Sequence, residues 1–296
     1  LLAALAWFGG PYWQTLAADG LILMIFGISL QAMMALGGLV SFGHAAFFAL
    51  GAYGAALSHS LWGASLPVAL AVGCGAALAV AAVFGAAVVR SSGEYLAMLS
   101  LALAQVVWAG ATQWVSLTGG DNGLIGLRLV SDDGRPVFYA LLVALALVAV
   151  FALRFLSRSV MGGALQAVRD APLRAAASGL SVGWLKYRVF VESAVLAGLA
   201  GGLFAAHKGA VFPSLAAVST SVDALLVVLL GGVHQLWGAV VGSVVLTYLG
   251  AELGREVTYW RGLLGVFIML IMVASPSGLL GLLKRVSGWL THKGTR

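Results

Sequence analysis

Long apolar runs, separated by short segments containing Gly, Pro or charged residues, fill almost the whole chain. Most runs approach the ~20 residues that an α-helix needs to cross the hydrocarbon core of a bilayer. The pattern therefore predicts an all-α fold, a polytopic transmembrane bundle with nine or ten spans, in a single domain over 1–296. The predicted spans are 16–39, 42–62, 66–89, 94–117, 136–156, 188–207, 214–230, 238–253 and 262–283, preceded by an apolar stub at 1–8. The short runs 214–230 and 238–253 also fit a re-entrant pair or a broken helix.

Composition supports the same class of protein. Hydrophobic residues make up 61% of the chain and charged residues 9%, against roughly 25% charged residues in a soluble domain. Water could not solvate so apolar a chain in folded form, whereas lipid can. The 40 glycines are scattered through Ala, Leu and Val runs, which predicts closely packed helices.

The basic residues predict an orientation in the membrane. They lie in short segments between apolar runs, so topology explains the net charge of +6 better than nucleic-acid binding does. If the segment from Arg154 to Arg188 faces the cytoplasm, strict alternation of the spans places eleven of the 16 Lys and Arg residues on that side. This distribution of charge agrees with a cytoplasmic 154–188 segment only if both short runs, 214–230 and 238–253, cross the membrane. It therefore favours ten crossings.

The polar connection at 157–186 has the periodicity of a helix. Apolar residues recur at helical spacing between 160 and 168, which predicts a short amphipathic helix. Asp170 is then expected to cap a second helical turn that accommodates Pro172 and ends at Gly179. Two short helices lying across the membrane face would form a rigid basic surface on which a separate motor protein could push.

Five segments of the chain form an ordered set: GGLVSFGHAAFFALGAY at 37–53, LTGGDNGL at 117–124, GGALQAVRDAPLRAAASGLSVGWLKYRVFVESAVLAGLAGGLF at 162–204, GGVHQLWGAVVGS at 231–243 and PSGLLG at 276–281. The set resembles the permease subunits of ABC transporters for branched-chain amino acids, and the chain is similar to the larger of the two permease types. The likeness covers nearly the whole chain in the family's order.

The resemblance implies a second related permease subunit, two cytoplasmic ATPase subunits that bind ATP-Mg, and an extracytoplasmic solute-binding protein, in a bacterial-type inner membrane. This chain would then bind no cofactor or metal of its own and would not be an enzyme, and it contains no GxxxxGK[ST] phosphate loop. In the family, the cytoplasmic coupling loop corresponding to 157–186 docks into a cleft on the ATPase. The coupling residues implied here are Gly162, Arg169, Asp170, Pro172, Arg174 and Gly179.

The sequence Asp121-Asn122-Gly123 predicts an external turn, in which Gly123 adopts a positive φ. The resemblance places this turn near the docking surface for the binding protein. Asp-Asn stands here where Ser-Asp is common in the family.

Polar residues within apolar runs are candidates for the translocation path. Ser41 and His44 must find partners or line a wet cavity, and Gly43 would let the helix unwind and present backbone groups to a solute. The alternative is a helix turn at the cytoplasmic face that His44 merely caps; the resemblance favours the path. Gln105 and Asp223 could face the path or a partner subunit, while interhelical hydrogen bonding is the alternative, favoured for Gln105.

Several other polar residues are interpreted as structural. Arg188 and Glu192 are spaced for an i, i+4 ion pair. The histidines at 59, 207 and 234 lie near predicted span ends, where side chains reach the membrane interface.

The sequence therefore predicts a permease in which alternating access is driven by ATP binding in partner subunits. Its solute would be a branched-chain or other hydrophobic amino acid, or a related small neutral or zwitterionic solute, because few charges lie along the path. The alternative is an ATP-independent secondary transporter or channel for a small polar solute, which would need embedded acid or base relays and a repeated half. GGLVSFGH and GGVHQLWG share only a Gly-Gly-hydrophobic opening. A membrane enzyme would need converging catalytic groups, and none is visible in the sequence.

Overall fold

The computed structural model describes residues 10–256 except 89, 92 and 236, together with 262, 265, 266, 269, 278, 279 and 281. The stub at 1–8, most of the predicted span 262–283 and the basic tail lie outside the described residues.

The described part of the chain is built from α-helices and one two-stranded antiparallel ribbon, which confirms the all-α class. The helices are α1 (Pro11–Gly37), α2 (His44–Trp62), α3 (Leu66–Val88), α4 (Glu94–Gln113), α5 (Val115–Thr118), α6 (Arg135–Arg158), α7 (Val160–Asp170), α8 (Pro172–Ala177), α9 (Val182–Lys208), α10 (Val218–Gly231) and α11 (Gly238–Glu256). The ribbon pairs β1 (Leu124–Ile125) with β2 (Ala210–Val211).

Five of these helices, α1, α3, α4, α6 and α9, are long and apolar enough to cross a membrane, and α10 and α11 are shorter apolar helices. The count of nine or ten spans stays a prediction. Helix α1 is the centre of the bundle, since 89% of its most apolar window is buried by neighbouring helices.

The bundle has two distinct ends. At the ribbon end, Lys208 at the end of α9 pairs with Asp19 near the start of α1. At the short-helix end, which carries α7 and α8, Arg169 of α7 donates a hydrogen bond to Ala35 O near the end of α1. Helices α1 and α9 therefore run antiparallel through the centre.

Helices α2 and α10 both begin inside the bundle. The His44 ring at the start of α2 lies 2.8 Å from Ser29 Oγ, and Ser29 lies about 12 Å along the axis before the end of α1. Residues 38–43 therefore turn back into the interior. There the N–H of Ala45 donates to Ser221 Oγ of α10 at 2.9 Å, so the N-terminal ends of α2 and α10 meet and the two helices diverge toward opposite ends.

This arrangement repeats one sequence of elements in inverted orientation. Helices α1 and α9 each have 27 residues and end at a left-handed glycine, Gly38 (φ 66°) and Gly209 (φ 65°). Each is followed by a short segment without α-helix that leads to an inner helix, α2 or α10. The segment GGVHQLWG instead forms the turn between α10 and α11, so the two glycine motifs compared in the sequence are not equivalent positions of this repeat. Inverted repeats of this kind are common in transporter folds.

Glycines allow α2, α3 and α9 to pack through backbone contacts. A Cβ added at Gly51 would lie 2.0 Å from Gly198 O, and one added at Gly201 would lie 1.8 Å from Phe48 O. A Cβ at Gly73 would meet Gly51 O at 2.4 Å. The predicted close helix packing is confirmed at these positions.

Some helix boundaries differ from the predicted spans. The predicted span 94–117 is interrupted at Trp114, and α10 begins at Val218 rather than 214. Pro213 explains the later start of α10, since it lacks an N–H and opens a separate 3₁₀ turn at Pro213–Ala216. Helix α9 begins at Val182, before the predicted 188.

Candidate functional site

His44 lies in a buried polar cluster between α1, α2 and α9. Its side chain is almost fully enclosed, and Nε2 lies 2.8 Å from Ser29 Oγ and 3.5 Å from Ser193 Oγ. Because Ser29 Oγ donates to Phe26 O, we assign the proton to Nε2, which leaves Nδ1 without a hydrogen-bond partner among the described residues. The alternative of a turn at the membrane face is wrong, since the ring is buried inside the bundle.

Ser41 and Gly43 fix the segment that precedes α2. Ser41 is buried and its Oγ accepts from Gly43 N at 3.3 Å, while Phe42 N donates to Ser100 Oγ of α4 at 3.1 Å. A Cβ at Gly43 would lie 1.7 Å from Ser100 O. In this conformation the glycine permits close packing on α4, and the N–H groups of Phe42 and Gly43 bind protein atoms.

Asp223 lies on an open cavity of about 530 Å³ lined by α1, α2, α9, α10 and α11, with Leu215 of the 3₁₀ turn, which we call the five-helix cavity. Its walls are mainly apolar and include Phe26, Phe48 and Phe204. Asp223 comes from α10, which begins inside the bundle. The structure thus places Asp223 on a cavity large enough for a small solute, and its role there stays a prediction.

Gln105 lies elsewhere, on the exposed face of α4. It forms no interhelical hydrogen bond among the described residues. Exposure on the bundle surface agrees with contact to lipid or a partner subunit, and Gln105 is not among the residues that line the five-helix cavity.

Asp19 and Lys208 are polar residues of the five-helix cavity that the sequence interpretation did not select. Lys208 Nζ lies 2.7 Å from Asp19 Oδ1 and 2.8 Å from Oδ2. Asp19 lies inside the predicted span 16–39. Because burying a carboxylate in the membrane costs free energy, its presence there is a sequence signal for a functional residue. Lys208 adjoins the predicted end of a span, where a basic side chain ordinarily reaches the membrane surface.

His207 also departs from its predicted interfacial position. Its side chain is only 7% exposed, and its ring stacks on Phe138 of α6 with centroids 6.2 Å apart. The ring faces the bundle interior because α6 packs beside this end of α9.

Arg169 joins three elements at the short-helix end. It bonds Ala35 O of α1, lies 3.4 Å from His234 Nδ1 in the α10–α11 turn, and donates to Asp170 Oδ1 at 2.8 Å. A guanidinium at the last carbonyls of α1 also suits the negative end of that helix. Arg169 therefore ties α7 to the two antiparallel halves of the bundle.

Asp170 is occupied by this guanidinium and does not cap the next helix. Ala171 is the N-cap of α8 and no side chain caps it, so the predicted cap is wrong. The charge-assisted hydrogen bond from Arg169 competes effectively with a neutral N–H. It also holds the pKa of the Asp170 carboxyl below its usual value.

The other predicted coupling residues shape or line the exposed surface of α7 and α8. Gly162 packs against Leu156 O, which a Cβ would approach to 2.1 Å. Pro172 opens α8, and Gly179 follows it with a φ of 83°. Arg174 is exposed. The two predicted short helices are confirmed, whereas their contact with an ATPase is untested.

The predicted turn at Asp121-Asn122-Gly123 lies at the ribbon end. Gly120–Asn122 form a 3₁₀ turn and Gly123 has a φ of 64°. The side chains of Asp121 and Asn122 are exposed. The turn and the positive φ are confirmed, and the binding-protein contact stays a prediction.

The predicted ion pair of α9 is present, with Arg188 Nε 2.8 Å from Glu192 Oε1. Both side chains are about half exposed, so the pair contributes little to stability.

Residues 13–276 match the sequence profile of the family described as "Branched-chain amino acid transport system / permease component". The chain belongs to this permease family. It is 30% identical to the "High-affinity branched-chain amino acid transport system permease protein LivM" of Escherichia coli K12 over 314 aligned residues, covering 95% of this chain and 73% of the relative. The LivM protein of Salmonella typhimurium LT2 gives the same identity and coverage. No solved structure matches the chain.

The family assignment confirms the resemblance found in the five sequence segments, including the likeness to the larger permease type. The permease is a multi-pass protein of the inner membrane, in agreement with its apolar helices.

Proposed function

We propose that this permease forms part of the translocation path of an ATP-driven ABC importer for branched-chain or other hydrophobic amino acids. The observation that carries the proposal is the likeness to LivM over 95% of the chain. The five-helix cavity supports it, because its apolar walls and few charges suit an amino acid with an apolar side chain. Partners would be a second related permease, two ATPases that hold ATP-Mg, and a solute-binding protein.

The short-helix end would face the cytoplasm and receive the ATPases. Among the basic residues whose side chains the structure describes, most lie at this end, as expected for a cytoplasmic face. Those at the short-helix end are Arg90, Arg154, Arg158, Arg169, Arg174, Lys186 and Arg188, and those at the ribbon end are Arg128, Arg135 and Lys208. Val160 and Leu173 project there as highly exposed apolar side chains. The ribbon end, with Asp121 and Asn122, would face the solute-binding protein.

The second candidate function is an ATP-independent transporter of a small polar solute. The inverted repeat and the ionisable residues inside the bundle favour it, since secondary transporters often combine these features. The likeness to LivM favours the importer more strongly, because it extends over nearly the whole chain.

Uptake in proteoliposomes separates the two candidates. We expect radiolabelled leucine to accumulate only when the chain is reconstituted with its co-purifying partners and ATP is supplied on the ATPase side. A protonophore should leave this uptake unchanged. Accumulation that needs an ion gradient and continues without ATP would instead support the second candidate.

His44→Ala is expected to lower this uptake several-fold while the transporter still assembles. The substitution leaves Ser29 and Ser193 without their buried imidazole partner, at a cost of about 1–3 kcal/mol. His59→Ala is the matched control on the same helix, because His59 bonds only the local carbonyl of Ala64 at 2.9 Å. Initial uptake rates, normalised to co-purified complex, give the comparison. Equal rates for the two variants would assign His44 a purely structural role.

A further inference from the structure

We propose that Asp19 and Lys208 recognise the charged head of a zwitterionic amino acid in the five-helix cavity, with the apolar side chain of the solute against Phe26 and Phe48. This inference rests on the proposed function and assigns the recognition to residues of this chain. It starts from the wall of the five-helix cavity at which a carboxylate and an ammonium group are paired.

The cavity has the size and composition of a small-molecule site. Its volume of about 530 Å³ lies within the roughly 300–1,000 Å³ typical of such sites, which combine apolar walls with a few polar groups. Phe26 and Phe48 contact each other with centroids 4.7 Å apart, and Phe204 lies 5.6 Å from Phe48. These three rings form a continuous apolar wall.

The Asp19–Lys208 pair remains accessible from the cavity. Its side chains are 33% and 36% exposed, so a solute can reach both charges. An amino acid carries one ammonium and one carboxylate, so it can take Lys208 as partner for its carboxylate and Asp19 for its ammonium. This exchange of partners leaves no charge unpaired, which matters because an unpaired charge in an apolar site is costly.

A solute lacking either charge would not meet this condition. A carboxylic acid without the amino group would take Lys208 and leave Asp19 facing the His207 ring, 3.5 Å from Oδ1, in place of an ammonium group. An amine would take Asp19 and leave Lys208 without this carboxylate. The pair thus selects zwitterions, and specificity follows from the penalty imposed on solutes with one charge.

Polar groups on α10 and α11 supply additional contacts. Asp223 and Thr220 line the cavity from α10, and Thr247 lines it from α11. Thr247 Oγ1 is buried and has no hydrogen-bond partner among the described residues. Rotation of the Thr247 side chain would turn this hydroxyl toward the cavity, where it can donate to the solute carboxylate or accept from its ammonium.

Protection of an introduced cysteine measures binding in the cavity directly. In a Cys74→Ser background, Ala251→Cys places a thiol on the cavity wall, and Ser116→Cys places one on an exposed turn outside it. The assembled transporter, without binding protein or ATP, is treated with a maleimide. L-Leucine at about ten times its dissociation constant should slow alkylation at 251 roughly tenfold and leave 116 unaffected. Equimolar 4-methylpentanoate and 3-methylbutylamine, which each lack one charge, should not protect.

Asp19→Asn and Lys208→Met should each remove the leucine protection at 251. If either variant fails to assemble, Thr247→Val decides, since it lies outside the ion pair and should raise the leucine concentration for half protection several-fold. The inference would be overturned if the acid or the amine protected the thiol at 251 as well as leucine does. It would also be overturned if leucine protection were unchanged in Asp19→Asn and Lys208→Met. Where these two variants do not assemble, unchanged leucine protection in Thr247→Val would have the same meaning. The inference would also be overturned if leucine failed to protect the thiol at 251 while the Cys74→Ser/Ala251→Cys transporter, with Asp19 and Lys208 intact, still imported leucine with ATP. That result would leave the proposed function intact. Absence of ATP-driven leucine uptake would reject the proposed function itself.

Discussion

Gly201→Ala is expected to prevent most of the permease from being recovered as a stable complex. The added Cβ would lie 1.8 Å from Phe48 O and 3.0 Å from Ala52 N. Both are backbone atoms of α2, so no side chain can rotate away and the two helices must separate. Overpacking commonly costs about 1–3 kcal/mol, and a rigid backbone contact places this substitution at the upper end. Thermal stability of the solubilised complex, followed by size-exclusion chromatography, measures the loss.

Gly75→Ala is the matched control for this experiment. Gly75 lies on the exposed face of α3, and nothing lies within 4 Å of the position that its Cβ would occupy. We expect its complex to behave as wild type. Equal stability of Gly201→Ala and Gly75→Ala would contradict the contact between α2 and α9.

The large loss of stability expected for Gly201→Ala follows from the lipid that surrounds the helices. Lipid tails are as apolar as leucine side chains, so helices in a bilayer gain little from burying apolar surface against one another. Close van der Waals contact and hydrogen bonds provide the association instead. The contacts at Gly51, Gly198 and Gly201 bring α2 and α9 into such contact.

The sequence predicts the long helices well because bilayer thickness fixes their length. Helices α3 and α6 differ from the predicted spans by at most two residues at either end. The starts of the inner helices are harder to predict, because three of the six residues at 38–43 and four of the six at 212–217 are apolar. Hydropathy cannot distinguish a chain that leaves the membrane from one that turns back inside it.

The sequence predicts which residues are candidates for the site, because polar side chains are unusual in apolar runs. It does not predict where those side chains point or which residues they contact. An imidazole within an apolar run identifies His44, but its partners Ser29 and Ser193 lie 15 and 149 residues away, and single serines are common in helices. Asp19 carried a usable signal as an acid within a span. Its pairing with Lys208 depends on the antiparallel packing of α1 and α9, which hydropathy does not specify.

Arg169 shows the same limit at the short-helix end. The family resemblance assigns it to the coupling surface, which suggests contact with an ATPase. Its guanidinium instead points toward the bundle and bonds Ala35 O of α1, while Arg174 remains exposed. Within one predicted surface, the structure therefore separates a side chain that bonds α1 from one that is exposed.

Arg169→Ala is accordingly expected to uncouple ATP hydrolysis from uptake. Without the guanidinium, α7 loses its charged hydrogen bond to α1, and a contact of this kind contributes about 1.5–3 kcal/mol. Movement of α7 would then reach α1 and the α10–α11 turn less efficiently. We expect the number of leucine molecules imported per ATP hydrolysed to fall roughly tenfold or more, since about 1.4 kcal/mol corresponds to a factor of ten.

Two control variants, Arg174→Ala and Arg169→Lys, test whether the effect of Arg169→Ala comes from the contact between Arg169 and α1. Arg174→Ala removes an exposed charge of the same type, so it should weaken ATPase binding while the complexes that do form keep the wild-type ratio of uptake to hydrolysis. Arg169→Lys should be intermediate, because a single ammonium cannot reproduce the planar fork that reaches Ala35 O and Asp170 together. The opposite result would be a wild-type ratio of uptake to ATP hydrolysis in Arg169→Ala and a reduced ratio in Arg174→Ala. Movement of the ATPase would then be transmitted through the exposed surface of α8 and not through the contact of α7 with α1. The arrangement seen here favours α1, because Arg169 contacts the central helix whose opposite end carries Asp19 and one wall of the five-helix cavity.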